Sequence, residues 1–260
     1  MLRQFNDQMQ RMVEIEYPPK RIISLVPSQT ELLYDLGLKD EVVGQTLFCI
    51  HPNWAHQQKP RIGGTKKLNM EAIAALQPDL IIGNKEENDQ TQIEELMKHY
   101  PVWMSDIKNL DDSLSMIKQI GDLVGKEATA IEMAFRIESS FKLLNKSKAT
   151  KKVAYFIWRD PWMAAGKDTF IDDMLQRCGL INAFANLDSR YPEISHLQLQ
   201  TSHLDIIFLS SEPYPFKEKH IAGLQEICPH AQIKLVDGEL FSWYGSRLMK
   251  SVRYFETLLG

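Results

Sequence analysis

The stretch RIISLVPSQTELLYDLG, residues 21–37, decides the fold. Its first six residues are mainly apolar and include three β-branched side chains, which is typical of a short buried strand, and Pro27 is expected to end that strand. Ser28 and Glu31 have the spacing of a capping box and predict a helix over TELLYDL, which Gly37 is expected to close. A strand followed by a turn and a helix is the first unit of an α/β domain.

The same alternation of strands and helices continues along the chain. Further strands are predicted at residues 79–83, 102–104, 153–158, 205–210 and 233–236, and further helices at 70–76, 90–99, 111–124, 169–178 and 247–259. Asn69 and Asp168 are the predicted N-caps of the helices that begin at residues 70 and 169. The pattern therefore describes one α/β series in each half of the chain.

Residues 126–144 differ from the rest because they contain neither glycine nor proline. As a helix this segment would be about 28 Å long, enough to connect two lobes. The polar, basic segment NKSKATKK, residues 145–152, follows it as a boundary. The predicted fold class is α/β, with two Rossmann-like lobes joined by one long α-helix. The N-terminal lobe is expected at residues 18–125, the helix at 126–148 and the C-terminal lobe at 149–260.

The composition excludes several classes of protein. The chain has 260 residues, of which 44% are hydrophobic, and a net charge of −4 at pH 7. A chain of this length can bury a large core without a metal or disulfide staple. Its charge gives no general attraction to nucleic acid or anionic membranes. No apolar run approaches the roughly 18 residues of a membrane-spanning helix, so no membrane insertion is expected. We expect a monomer.

The cysteines and the N-terminal residues indicate the cellular compartment. The three cysteines, Cys49, Cys178 and Cys228, lie far apart with no CxxC motif, which is typical of a reducing compartment or of a protein without structural disulfides. Residues 1–20 contain no apolar core of a signal peptide. From these features alone, a cytoplasmic location is expected.

Several segments, taken in order, resemble one protein family. They are residues 21–37, VVGQT at 42–46, the pair His51-Pro52, and RIGGTKKLNMEAIAALQPDLIIGN at 61–84. Together they resemble the class III, helical-backbone solute-binding proteins of ABC importers, which bind cobalamin, haem or ferric siderophores. The similarity is greatest to the cobalamin receptors and spans about residues 20–258.

The resemblance implies a ligand held in a cleft between two lobes, with no cofactor required. The bound ligand would be cobalamin, haem or a ferric siderophore. An ABC permease would be the partner, docked through one exposed glutamate on each lobe. Glu71 matches the first of these, although an acid there also suits the first turn of a helix. Glu193 lies near the second without aligning to it. A role in import would place the protein in the periplasm or cell envelope.

Aromatic side chains are concentrated in the loops after the predicted strands, where ligands of open α/β sheets bind. Each ring would contribute about 1 kcal/mol to binding of a flat corrin or porphyrin. Since micromolar affinity requires about 8 kcal/mol, several rings must converge. The candidates are Phe48, Trp158, Trp162, Tyr191, Tyr214, Phe216, Trp243 and Tyr244. Burial in the core is the alternative for each. Trp243, in the polar segment SWYGSR, is the favoured one. By resemblance, Phe48, Tyr191 and the pair Trp243-Tyr244 stand where cobalamin receptors have aromatic residues.

Charged residues in the same loops indicate which ligand groups could be bound. Lys66 or Lys67 stands where the cobalamin receptors have a tryptophan, which leaves room for an anionic ligand. Glu86 could direct its carboxylate at a cationic or metal centre, or simply begin a solvated helix. Arg247 could bind a carboxylate or phosphate of the ligand, or pair with a nearby acid.

Cys49 and His51 are two residues apart and would face the same side of an extended segment. They could bind zinc or cobalt; alternatively, Cys49 is a small buried residue and His51 a turn residue. His51 is also a candidate for ligand contact. No GxSxG, P-loop or HExxH motif is present, so we expect a binding protein and not an enzyme. The alternative is an intracellular carrier or enzyme acting on a tetrapyrrole or metal cofactor, with Cys49, His51 and Glu86 as its reactive group.

Overall fold

A computed structural model of the chain describes residues 1–147 and 150–260. Its strands are β1 (Leu2–Asn6), β2 (Met12–Glu16), β3 (Ile22–Ser24), β4 (Val42–Gln45), β5 (Leu80–Asn84), β6 (Val102–Ser105), β7 (Lys151–Trp158), β8 (Met163–Ala164), β9 (Leu180–Asn182), β10 (Ile206–Ser210) and β11 (Gln232–Val236). Its helices are α1 (Pro27–Asp35), α2 (Asn53–Gln58), α3 (Met70–Leu76), α4 (Gln90–Met97), α5 (Leu110–Leu123), α6 (Glu127–Leu143), α7 (Phe170–Arg177), α8 (His196–Thr201), α9 (Ile221–Ile227), α10 (Glu239–Ser242) and α11 (Leu248–Leu259), with a 3-10 turn at Glu218–His220. The alternation of strands and helices confirms the α/β class.

The chain divides into two compact units. The first consists of Met1–Ile107, Asp111–Glu138 and Tyr244–Arg247, and the second of Lys108–Leu110, Ser139–Trp243 and Leu248–Gly260. The predicted boundary at residues 148 and 149 lies outside the described residues.

The first unit contains a four-stranded sheet in the order β4-β3-β5-β6, with every neighbouring pair parallel. Ile23, Ile81 and Trp103 from these strands are fully buried, as expected for strands covered on both faces. Residues before β3 form the antiparallel hairpin β1–β2. The hairpin is tied to β6, because the Trp103 indole N–H donates to the carbonyl of Asn6 and the Gln8 N–H donates to that of Met104.

The second unit contains a sheet in the order β11-β10-β7-β8, with β9 also paired to β7. β8 is antiparallel to β7, and the other pairs are parallel. Aromatic rings fill much of this core: Tyr155 and Phe255 each contact Phe241, with ring centroids 5.1 and 4.6 Å apart. The carboxyl ends of β7 and β10 lie side by side, so the loops that follow them meet at one edge of the sheet.

The start of α1 differs from the prediction. The helix begins at Pro27, and its N-cap Val26 makes no side-chain capping bond. Proline suits the first helical position because an N–H at that position has no partner within the helix, so its absence costs nothing. The φ angle of proline is also already helical. The capping box predicted for Ser28 and Glu31 is therefore wrong: both lie inside the helix. Gly37, at φ +84°, follows the C-cap as predicted.

Two other predicted caps have different outcomes. The Asn69 side chain accepts a hydrogen bond from the Ala72 N–H at 3.0 Å, which confirms it as the cap of α3. The cap predicted at Asp168 is wrong, because α7 is capped by Thr169, whose hydroxyl accepts from the Asp172 N–H at 3.1 Å. Asp168 itself has φ +58° and lies in the preceding turn. Among residues 1–147 and 150–260, no helix combines the length and the apolar character needed to cross a lipid bilayer.

Candidate functional site

The loop after β4 carries Phe48 at the surface of the first unit. The Gln45 amide holds this loop by donating to the Cys49 carbonyl at 2.9 Å, and the Tyr34 hydroxyl donates to Gln45 Oε1 at 2.7 Å. Phe48 is 57% exposed. Its ring lies 3.1 Å from the point where a Cβ on Gly64 would stand. The loop therefore holds an open aromatic side chain beside the Gly63-Gly64 turn.

Cys49 lies in this loop but its thiol points into the protein. The side chain is fully buried, with Sγ 3.1 Å from the hydroxyls of both Thr30 and Thr46. Burial raises the pKa of the thiol, which disfavours the thiolate that binds metals or acts as a nucleophile. The Cys49 N–H bonds to the Thr46 carbonyl, so the chain turns just before Cys49, and His51 is half-buried whereas Cys49 is fully buried.

The described part of the chain contains no group of three or more His, Cys, Asp or Glu side chains able to hold a metal ion. Together with the buried thiol, this removes the support for a metal at Cys49 and His51. It equally removes the support for Cys49 as a reactive group.

Lys66 and Glu86 are brought together at the carboxyl end of β5. The Lys66 ammonium donates to the Glu86 carbonyl. Asn84 Oδ1 accepts from the N–H groups of Glu86 and Glu87 at 2.8 and 3.0 Å, which fixes the turn after the strand. Asn88 donates to the Thr65 carbonyl and ties the two loops together. Phe48, Lys66 and Glu86 thus belong to one group of loops in the first unit.

Arg247 is committed to an ion pair inside the first unit. Its guanidinium donates to both carboxylate oxygens of Glu31, at 2.7 and 2.8 Å, and each side chain is only 8% exposed. Of the two alternatives for Arg247, the structure therefore shows pairing with an acid. Tyr244, three residues earlier, is also buried, so the prediction of an open ring there is wrong.

Buried polar atoms lie in the same two segments as this pair. Ser28 Oγ, Gln29 Oε1 and Ser246 Oγ have no hydrogen-bond partner within the described residues. A Cβ on Gly245 would stand 3.0 Å from the Ser28 carbonyl oxygen. The segment before α11 therefore packs against the first turn of α1, and its glycine allows that close approach.

The main aromatic group lies in the second unit, in the loops after β7 and β10. Trp158 is 40% exposed and packs edge-on against Tyr214, with centroids 5.6 Å apart. Tyr214 contacts Phe216 at 4.7 Å, and the Phe216 ring is stacked on Trp162 at 5.8 Å and 4°. We call Trp158, Trp162, Tyr214 and Phe216 the aromatic cluster. Sequence analysis predicted all four, but only Phe216 is buried in the core.

Two residues beside the aromatic cluster were missed by the sequence analysis. The Arg159 guanidinium carbon lies 5.5 Å from the centre of the Trp162 ring. His220 is buried, its Nδ1 accepts from the Lys217 N–H at 2.8 Å, and its ring packs against Tyr214 and Phe216. Burial and then the nearby charge of Arg159 lower the pKa of His220. The position of Arg159 directly after the strand was the signal that could have identified it.

Trp243, the favoured candidate, is almost completely buried in the second unit. It is 7% exposed, and its indole N–H donates to Glu212 Oε1 at 2.9 Å. The Ser242 hydroxyl donates to the same oxygen at 2.8 Å. Burial raises the pKa of Glu212 despite these two bonds. Trp243 therefore stabilises its loop through this hydrogen bond. The expectation that its ring is exposed for ligand contact is wrong.

The remaining candidates lie at the surface. Tyr191 is half-buried, with the Arg190 guanidinium carbon 5.8 Å from its ring centre. Glu71 is exposed in the first turn of α3. Glu193 is exposed in the second unit, where its backbone forms an isolated antiparallel β-bridge with that of Met163.

Comparison with known proteins agrees with this fold. The "Periplasmic binding protein" family model matches residues 22–231. The vitamin B12-binding protein of Vibrio parahaemolyticus serotype O3:K6 is 29% identical over 198 residues, covering 74% of this chain and 71% of that protein. An uncharacterized ABC transporter substrate-binding lipoprotein of Bacillus subtilis, YvrC, is 27% identical over 255 residues, covering 92% and 80%.

Among solved structures, the periplasmic vitamin B12-binding protein BtuF of Vibrio cholerae superposes with a TM-score of 0.80 at 21% identity, covering 93% of this chain and 97% of that one. This similarity shows that the fold is shared. The family model covers most of the sequence and describes binding proteins, in agreement with the expectation that the protein is not an enzyme. The chain belongs to the periplasmic binding protein family.

Proposed function

We propose that the protein is the solute-binding component of an ABC importer and that it binds a large, flat metal chelate of the cobalamin, haem or ferric-siderophore class. The observation that carries this proposal is the aromatic cluster at the carboxyl ends of β7 and β10, with Trp158 40% exposed. The family suggests the role in transport, and two similar proteins that bind vitamin B12 make it one ligand to test.

The size of the aromatic cluster is consistent with this class of ligand. A ring that loses about 50 Å² of apolar surface contributes about 1 kcal/mol. The part-exposed rings of the cluster are Trp158, Trp162 and Tyr214. Rings alone therefore fall short of the roughly 8 kcal/mol of micromolar binding, so hydrogen bonds and charges must contribute as well. Tyr191 is a candidate for such a contact within the second unit. Lys66 and Glu86 stay predicted ligand contacts of the first unit.

The test is a titration followed by tryptophan fluorescence, with cyanocobalamin, haemin and a ferric hydroxamate siderophore as probes. We expect at least one probe to quench the emission with micromolar or tighter affinity. Trp158→Leu should weaken that binding about tenfold. The matched control is Trp54→Leu, because Trp54 packs on Tyr34 at 5.0 Å in the first unit and is not part of the aromatic cluster. The proposal fails if none of the three probes binds.

Docking to an ABC permease is the second part of the proposal, with Glu71 and Glu193 as the contact residues. Each is exposed, and an exposed carboxylate can pair with a basic residue of a partner. Docking to the outer face of a permease would place the protein outside the cytoplasmic membrane, in agreement with a family of periplasmic binding proteins. In cells, Glu71→Lys and Glu193→Lys should reduce uptake of the ligand while leaving the fluorescence titration unchanged. Unchanged uptake in the double variant would contradict docking at these residues.

A further inference from the structure

Arg159 is held against the aromatic cluster. It follows Trp158, the last residue of β7, and its guanidinium carbon lies 5.5 Å from the centre of the Trp162 ring. The face of an aromatic ring attracts a cation, and this contact limits the orientations of the Arg159 side chain. The charge of Arg159 is therefore fixed at the edge of the proposed binding surface.

The Nε–H donor of Arg159 is buried without an acceptor, although the side chain as a whole is 38% exposed. A guanidinium has five N–H donors, yet Arg159 makes no hydrogen bond within residues 1–147 and 150–260, and its Nε is shielded from solvent. The carboxylate of Asp160 lies 3.8 Å from Nε, beyond hydrogen-bond distance, and its side chain is 86% exposed. By contrast, Arg177 in the same unit bonds to Asp173 at 2.8 Å. Buried donors in proteins nearly always have an acceptor.

No neighbouring group of the second unit supplies that acceptor. His220 uses Nδ1 to accept from the Lys217 N–H, and its Nε2 lies 3.4 Å from the Tyr214 hydroxyl. The Glu212 carboxylate receives bonds from Ser242 and Trp243. Lys217 and Lys219 add positive charge close to His220. Asp160, whose side chain is largely exposed, is therefore a weak partner for Arg159, and the other charges acting around His220 are those of Lys217 and Lys219. An anionic ligand group at this point would meet more positive than negative charge.

We infer that the ligand of this protein carries a carboxylate beside its flat face and that Arg159 binds this carboxylate through its guanidinium fork. A planar fork matches the two oxygens of a carboxylate, and the aromatic cluster receives the adjoining ring system. This inference rests on the proposed function and narrows it from metal chelates in general to those with carboxylate side chains. Arg159 is then the residue that selects an anionic ligand over a neutral one.

The experiment compares protoporphyrin IX, which has two carboxylates, with its dimethyl ester, which has the same ring and no charge. Fluorescence titrations are made with the wild-type protein and with Arg159→Gln, Arg159→Lys and Arg3→Gln. Arg3 is the matched control because its guanidinium carbon also lies over aromatic rings, 4.1 Å from that of Tyr17 in the N-terminal segment.

We expect the wild-type protein to bind the acid about tenfold more tightly than the ester, the difference expected for a charge-assisted hydrogen bond. Arg159→Gln should remove this preference by weakening the binding of the acid and leaving the binding of the ester unchanged. Arg159→Lys should retain part of it, and Arg3→Gln all of it.

Other outcomes separate this inference from the proposed function. Equal binding of acid and ester by the wild-type protein, or an unchanged preference in Arg159→Gln, would overturn the inference alone. Binding of cyanocobalamin with no binding of the porphyrin acid would do the same and leave the proposed function standing. Failure of every probe in both titrations would remove the two together.

Discussion

Arg247 illustrates how far apart in sequence two interacting residues can lie. Its acid partner, Glu31, is 216 positions away, so the sequence left ligand binding and acid pairing equally open. Inside the first unit both side chains are only 8% exposed and share two hydrogen bonds. Removing one partner of such a pair leaves a buried charge without compensation.

The variant Arg247→Met should therefore lower the free energy of unfolding by about 3–5 kcal/mol, measured by urea denaturation. The double variant Arg247→Met/Glu31→Leu should recover much of that loss, because no unpaired charge remains. The control is Lys98→Met, whose partner Glu95 is half exposed, so the change should stay within about 0.5 kcal/mol. A loss in Arg247→Met no larger than in the control would contradict the buried pair.

Glu212 should make stability depend on pH in a defined direction. Burial raises the pKa of its carboxyl in the folded state above the ordinary value of 4.5. Between these two pKa values the folded protein binds more protons than the unfolded chain, so this group's contribution to stability decreases as pH rises. Glu212→Gln removes the titration, and its amide oxygen can still accept from Trp243. The stability of the variant relative to wild type should increase from about pH 4 upwards.

Urea denaturation across this pH range checks the prediction. Glu71→Gln serves as the control, because it makes the same substitution at an exposed position. A stability difference between Glu212→Gln and wild type that does not vary with pH would contradict the proposed burial effect.

At the level of single elements, the glycines give a matched pair of tests. Gly63 has φ +96°, and a Cβ there would lie 2.4 Å from the Lys67 carbonyl oxygen. Gly63→Ala should therefore destabilise the protein by about 1–3 kcal/mol. Gly223 lies within α9, and a Cβ there would meet no atom within 4 Å. Gly223→Ala should stabilise by about 0.5–1 kcal/mol. Urea denaturation of both variants decides, and equal effects at the two positions would contradict the local geometry.

The strands were predicted more accurately than the ends of the helices. Buried parallel strands such as β5 and β10 are continuous runs of apolar side chains, which sequence shows directly. The predicted start of α1 was wrong because a capping motif and a proline indicate different first residues for the helix. Only the backbone conformation decides between them. The hairpin β1–β2 was not predicted, although its burial alternates along each strand.

The candidate site was predictable in position but not in detail. Loops after parallel strands could be chosen from the sequence, and they contain the aromatic cluster. Whether a tryptophan is open or buried depends on distant partners, and the Glu212 that fixes Trp243 lies 31 positions away. Arg159 was missed because a buried donor without an acceptor becomes visible only when every neighbouring acceptor is known.

At the level of the whole molecule, each of the two units has its own mainly parallel sheet and its own core, in agreement with the two α/β series in the sequence. Their loops differ in chemistry. The first unit presents Lys66 and Glu86 beside Phe48, whereas the second presents the aromatic cluster with Arg159. Variants confined to one unit can therefore test the contribution of that unit's loops to binding.

The N-terminal hairpin has a practical consequence for anyone who shortens the chain. β6 is the last strand of its sheet, and the segment after β1 covers it through the bonds to Asn6 and Gln8. The family model begins only at residue 22, so a fragment trimmed to that match would lack this cover. An uncovered strand edge recruits further chains into intermolecular sheets. A chain shortened to begin at residue 22 is therefore expected to aggregate more readily than the full chain.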